Sequence, residues 1–104
     1  MLSEQQIKSI RDVIVRKYNP EAIYVFGSYA TGKASEESDL DLLVINSSEL
    51  ENDKVGIETS KSLFPRDYSL DLFVLRAEEF QKKIDGGLSF WKNIHRCGKK
   101  IYER

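Results

Sequence analysis

Between Gly27 and Val44 the chain reads Gly-Ser-Tyr-Ala-Thr-Gly-Lys-Ala-Ser-Glu-Glu-Ser-Asp-Leu-Asp-Leu-Leu-Val, and this stretch limits the possible folds more than any other. An apolar run, Ala22 to Phe26, leads into the Gly27-Ser28 turn, and a second glycine, Gly32, opens a polar connector. Ser38-Asp39-Leu40-Asp41 then leads into another apolar run ending at Ile45. Side chains alternate faces along a strand, so Asp39 and Asp41 point one way and Leu40 points into a core. Two carboxylates side by side repel and raise each other's pKa, a cost that a divalent cation between them removes. Such hard oxygen ligands suit Mg²⁺, which keeps several waters and completes its shell with a nucleotide's phosphates. Glycine lets a backbone approach a phosphate closely, and N–H groups opening a following helix attract anions. The residues thus describe a phosphate cradle, Gly27, Ser28 and Gly32, facing the metal-binding pair Asp39 and Asp41. A hairpin-like turn with solvated acids is the competing explanation.

In this order and spacing, Gly27-Ser28, Gly32 and Ser38-Asp39-Leu40-Asp41-Leu42 resemble the G-S-x-A-x-G…S-D-x-D-L signature of the DNA polymerase beta-type nucleotidyltransferases. More narrowly they resemble the minimal nucleotidyltransferase (MNT) domains of prokaryotic MNT–HEPN pairs. The resemblance implies a small mixed α/β sheet of the polymerase palm type, packed by two or more helices. It also implies a third carboxylate on a neighbouring strand, matched by Asp71, and two Mg²⁺ ions held by Asp39, Asp41 and Asp71. The activity implied is transfer of AMP from ATP to a tyrosine hydroxyl of a HEPN toxin, which makes the chain an antitoxin. Many relatives carry a basic residue where this chain has Thr31, with Lys33 as the nearby substitute. Two alternatives remain at this point: an antitoxin that acts by binding alone, and transfer to a small molecule. Three acids in place argue against the first, and the lack of room for an acceptor domain argues against the second.

At 104 residues the length corresponds to one domain, residues 1–104,. A chain of this size buries enough surface to fold without staples. Sixteen basic against 17 acidic residues leave a net charge of −1, which disfavours stable binding to nucleic acid. Cys97 has no second cysteine to pair with,. No apolar stretch approaches the roughly 20 residues of a membrane helix, and no signal peptide is evident. The expected location is the cytoplasm.

The remaining pattern alternates helices with strands, an α/β arrangement. Ser3 and Gln6 form a capping-box pattern ahead of Ile7, Ile10, Val13, Ile14 and Tyr18 at helical spacing, with Asn19-Pro20 as the stop,. Asn46-Ser47-Ser48 offers N-caps for a helix over residues 49–64 with Leu50, Val55, Ile57 and Leu63 as its stripe,. Residues 69–75 read as a strand whose one acid, Asp71, is either a solvated edge residue or partnered,. A helix over 77–85 stops at Gly86-Gly87, and a second, over 88–97, has Phe90, Trp91 and Ile94 as apolar anchors,. His95 reads as structural. Lys92, Arg96, Lys99 and Lys100 form a basic cluster at the end of that helix, and residues 99–102 make a final short strand,.

Overall fold

The computed structural model describes all residues from Met1 to Arg104. Helix α1 (Glu4–Tyr18) starts at the capping box: Ser3 Oγ accepts from Gln6 N at 3.1 Å, and Gln6 Oε1 accepts from Ser3 N at 2.7 Å. Asn19 ends it in the left-handed region, at φ 45°. Strand β1 (Ala22–Phe26) follows, then the one-turn helix α2 (Ser28–Thr31) and strand β2 (Leu40–Ile45). Helix α3 (Asn52–Ser62) crosses to β3 (Leu70–Leu75). Helices α4 (Ala77–Asp85) and α5 (Ser89–Cys97) then return the chain to β4 (Lys99–Glu103).

The four strands lie in the order β3-β2-β1-β4. β1 is antiparallel to both β2 and β4, while β2 and β3 run parallel. The parallel pair needs a crossover, which α3 supplies. β1 and β2 occupy the middle of the sheet, which explains why they read as continuous apolar runs. One face carries Ile23, Val25, Leu40, Leu42 and Val44 against Ile10, Ile14 and Tyr18 of α1 and Val55 of α3. The opposite face carries Ala22, Tyr24, Phe26, Leu43 and Ile45 against Phe80 of α4 and Ile94 of α5. No helix is long and apolar enough to cross a membrane.

Three local expectations change. Asn46, Ser47 and Ser48 do not cap α3; its N-cap is Glu51, which makes no side-chain cap bond. Asn46 is instead buried, at 3% exposure, and ties the loop: its Nδ2 donates to Leu50 O at 2.8 Å, and its Oδ1 accepts from Ser48 N and Oγ. Ile57 is 57% exposed, because the inward face of α3 is set by Val55 and Thr59, one turn apart, and a residue two positions on faces away. Phe90 is no buried anchor either, at 48% exposure, whereas Ile94 is buried and Trp91 half-buried.

Candidate active site

Strand register lines up the acids. Phe26 of β1 sits opposite Asp41 of β2, and Asp41 opposite Asp71 of β3, so the three make one row across the sheet. The next row on that face is Tyr24, Leu43 and Phe73, since side chains recur on one face every second residue. Leu40 is fully buried beneath the other face, as the alternation demands, while Asp41 is half-buried and Asp39, just before the strand, is exposed. Asp71 also lies exposed on β3, at the sheet's edge.

Gly27 follows Phe26 directly and carries φ 71°, ψ −147°, a conformation open to glycine and costly for other residues. A Cβ at this position would overlap Asp41 Oδ2, so the backbone of the turn lies directly against the carboxylate. The turn is held from below: Gly27 O accepts from Ala30 N at 3.1 Å and Thr31 N at 3.3 Å. Gly32 closes α2 at φ 76°, and Ser28 O accepts from Lys33 N at 3.0 Å. Ser28 is half-buried beside these groups; Thr31 and Lys33 are exposed.

Electrostatics mark Asp41 out. Burial raises its pKa from 3.8 to about 6, aided by the Asp71 carboxyl within hydrogen-bonding reach and by the negative charges of Asp71 and Asp39. Like charges held together in this way favour a shared proton or a cation. No three acidic, histidine or cysteine side chains enclose an ion by themselves. The donor set is an oxygen pair in contact with the third acid's field, next to an open glycine turn. That chemistry suits a hard cation that draws the rest of its shell from water and phosphate oxygens.

The sequence did not point to the aromatic wall beside the acids. Phe26 and Phe73 stack at 5.8 Å and 18°, and Phe90 meets both edge-on at 5.8 and 5.7 Å. Trp91 backs Phe73 at 5.8 Å and Phe90 at 5.0 Å. The available signal was parity, since Phe73 stands two residues from Asp71 and so shares its face. His95 is exposed, with its ring edge-on to Phe80 at 6.2 Å.

Residues 8–104 match the family model described as polymerase beta, nucleotidyltransferase. The chain belongs to the polymerase beta nucleotidyltransferase family. This nucleotidyltransferase is 33% identical over 104 residues to a Methanocaldococcus jannaschii protein named "Putative protein adenylyltransferase", covering 98% of this chain and 100% of that one. Its fold resembles that of a nucleotidyltransferase, named as putative, from Sulfolobus solfataricus, with TM-score 0.62 and 21% identity over 94% of this chain and 78% of that one. It also resembles a chain of a Shewanella oneidensis complex of a tri-AMPylated HEPN toxin with an MNT antitoxin. There the TM-score is 0.52 and the identity 21%, over 97% of this chain and 70% of that one. The family and the mixed α/β fold agree with the expectation from the Gly-Ser and Asp-x-Asp spacing.

Proposed function

We propose that residues 1–104 act as one Mg²⁺-dependent domain that transfers AMP from ATP to a hydroxyl, a tyrosine of a HEPN toxin, and so serve as the toxin's antitoxin in the cytoplasm. The observation that carries this reading is the row of Asp41 and Asp71 on adjacent strands, with the Gly27 turn lying against Asp41. The M. jannaschii relative's name supports a protein acceptor, and the AMP-bearing toxin in the S. oneidensis complex supports the partner.

In this reading Asp39 and Asp41 hold one Mg²⁺ with the triphosphate, and the same pair with Asp71 holds a second. Bound Mg²⁺ supplies positive charge to the phosphate oxygens and lowers the pKa of the acceptor hydroxyl. Gly27 and Ser28 receive the terminal phosphates, and Gly32 sets the exit of the turn. The acceptor oxygen attacks the α-phosphorus as the bond to the bridging oxygen breaks, and pyrophosphate leaves. Asp71 accepts the hydroxyl proton as general base. None of these roles calls on the exposed His95 or Cys97.

The test is intact-mass measurement of a candidate HEPN toxin after incubation with the protein, ATP and Mg²⁺. The toxin's mass rises by whole AMP units with the native protein and stays unchanged with Asp39→Asn or Asp41→Asn. Variants that neutralise the toxin as well as the native protein does would show that binding, and not transfer, is the antitoxin mechanism.

A further inference from the structure

We propose that β3 receives the acceptor as a fifth, antiparallel strand on its free edge, so that the partner offers its hydroxyl from an extended segment. The proposal rests on the transfer reading above and adds how the acceptor is held. β3 and β4 are the two edges of the sheet, and they are protected unequally. β4 begins with two exposed lysines, Lys99 and Lys100, and a register shift interrupts its pairing with β1; both features discourage a further strand. β3 reads Leu-Asp-Leu-Phe-Val-Leu and pairs with β2 residue for residue over its whole length. It has no lysine, proline or bulge, and its one charge, Asp71, belongs to the acid row. The backbone bonds show which groups face outward. Ser69 O and Leu75 O accept from Leu40 N and Asn46 N, each at 2.8 Å. Bonds to one neighbour recur every second residue along a strand, so Asp71 and Phe73 also bond toward β2. Leu70, Leu72 and Val74 therefore turn their N–H and C=O groups outward, the row to which an added strand bonds.

Antiparallel pairing is the more stable per residue. Pairing through Leu70 and Leu72 sets Asp71 opposite a residue in a non-hydrogen-bonded pair, the closer kind, with Cα atoms about 4.5 Å apart. That residue's side chain shares the face of Asp71 and Asp41,. Its strand lies two spacings, about 10 Å, from β2. A tyrosine there carries its hydroxyl across Asp71 toward Asp41, whereas a serine hydroxyl stops beside its own backbone. The tyrosine oxygen bonds to the α-phosphorus, the bond to the bridging oxygen breaks, pyrophosphate leaves, and the proton passes to Asp71. The residues on either side of the tyrosine point to the other face, where a groove of about 510 Å³ runs between α3 and β3. Asp53, Gly56, Ile57 and Lys61 of α3 line it with Leu72 and Val74 of β3, and no residue of β2 does, so it opens at the free edge. In the antiparallel sense, the first and third residues before the tyrosine stand opposite Leu72 and Val74 and enter this groove.

The probe is the end-blocked peptide Lys-Val-Thr-Val-Tyr-Val-Thr-Lys, incubated with the intact protein, Mg²⁺ and α-labelled ATP. Three analogues are compared with it. One is N-methylated at the two valines flanking the tyrosine, one at the tyrosine and the threonine two before it, and one has serine for tyrosine. Methylation of the flanking valines is expected to lower kcat/KM about 25-fold, about fivefold for each of two hydrogen bonds lost. The second analogue, whose methyl groups point away from β3, keeps the parent rate, and the serine peptide gains no label. Ile57→Ser, a change at an exposed groove residue, is expected to raise KM for the peptide about threefold, for part of an apolar contact. It leaves the rise in melting temperature with Mg²⁺ and ATP unchanged. Equal effects of the two methylation patterns, or serine labelled as fast as tyrosine, overturns the added strand. So does a protein that elutes as a dimer and becomes a monomer in Ile57→Ser, since a second copy then occupies the edge. An unlabelled parent peptide, with a protein whose melting temperature rises with Mg²⁺ and ATP, overturns strand addition and leaves the nucleotide reading standing. Neither label nor melting shift overturns both together.

Discussion

At neutral pH the Asp41 carboxylate lies against the Gly27 backbone and faces Asp71 across the strand pair, with burial opposing its charge. Its folded pKa, about 6, stands above the ordinary 3.8. The unfolded chain therefore releases this proton first as pH rises, and stability is lost between these values. What Asp41 contributes is fully present below pH 3.8 and gone above about pH 6,. Because Asp41 is half-exposed, screening reduces the loss to about 1–2 kcal/mol. Asp41→Asn thus raises stability at pH 7 by about that amount and flattens the difference between pH 4 and pH 7, as chemical denaturation at the two pH values measures. A variant less stable than the native protein at pH 7 would refute the strained carboxylate. Gly27→Ala acts in the other direction. It places a Cβ on Asp41 Oδ2 at a positive φ, costing about 1–3 kcal/mol in the backbone alone, with a matching fall in melting temperature. The nearness of Asp39 to Asp41 was legible from their spacing, and its charge acts on Asp41. The pairing of Asp41 with Asp71 was not, because it depends on which strands become neighbours, and in which direction, after the α3 crossover.

Among the elements, the helix start at Ser3, the stop at Asn19 and the apolar runs of β1 and β2 followed from local chemistry and were legible. The segment from Asn46 to Asn52 was not, because its polar residues satisfy a buried loop rather than a helix end. Asn46 joins Leu50 O, Asn52 Oδ1 and Ser48, and Arg76 donates to Ser48 O at 3.1 Å and Leu50 O at 3.0 Å from the far side. Tertiary bonds of this kind leave no periodic trace. Asn46→Ala leaves buried polar groups without this partner and costs about 1–3 kcal/mol. Denaturant unfolding measures it, and a change below about 0.5 kcal/mol, the range of ordinary surface substitutions, would show that the loop does not depend on this side chain. Phe90 illustrates the converse. Helical spacing placed it with Trp91 and Ile94, but three residues of one short amphipathic helix do not share a single direction, and the outermost meets Phe26 and Phe73 while staying half open to solvent.

For the whole molecule, the strand order β3-β2-β1-β4 puts the acid-bearing strands at one side of the sheet and the glycine turn next to them. Helices α4 and α5 cover the acid-bearing face over β1 and reach Phe73 of β3 through Phe90 and Trp91, while Asp71, one row away, is exposed at the sheet's edge. An acceptor can therefore approach over the edge strand, while β4 closes the far side. The most direct test of nucleotidyl transfer follows the label on ATP. The purified protein is incubated with a candidate HEPN toxin, Mg²⁺, and ATP labelled either at the α- or at the γ-phosphate. The account predicts that the toxin acquires label from α-labelled ATP alone, and that Asp41→Asn abolishes it. Label arriving from the γ-phosphate, or α-label incorporation undiminished in Asp41→Asn, would contradict it.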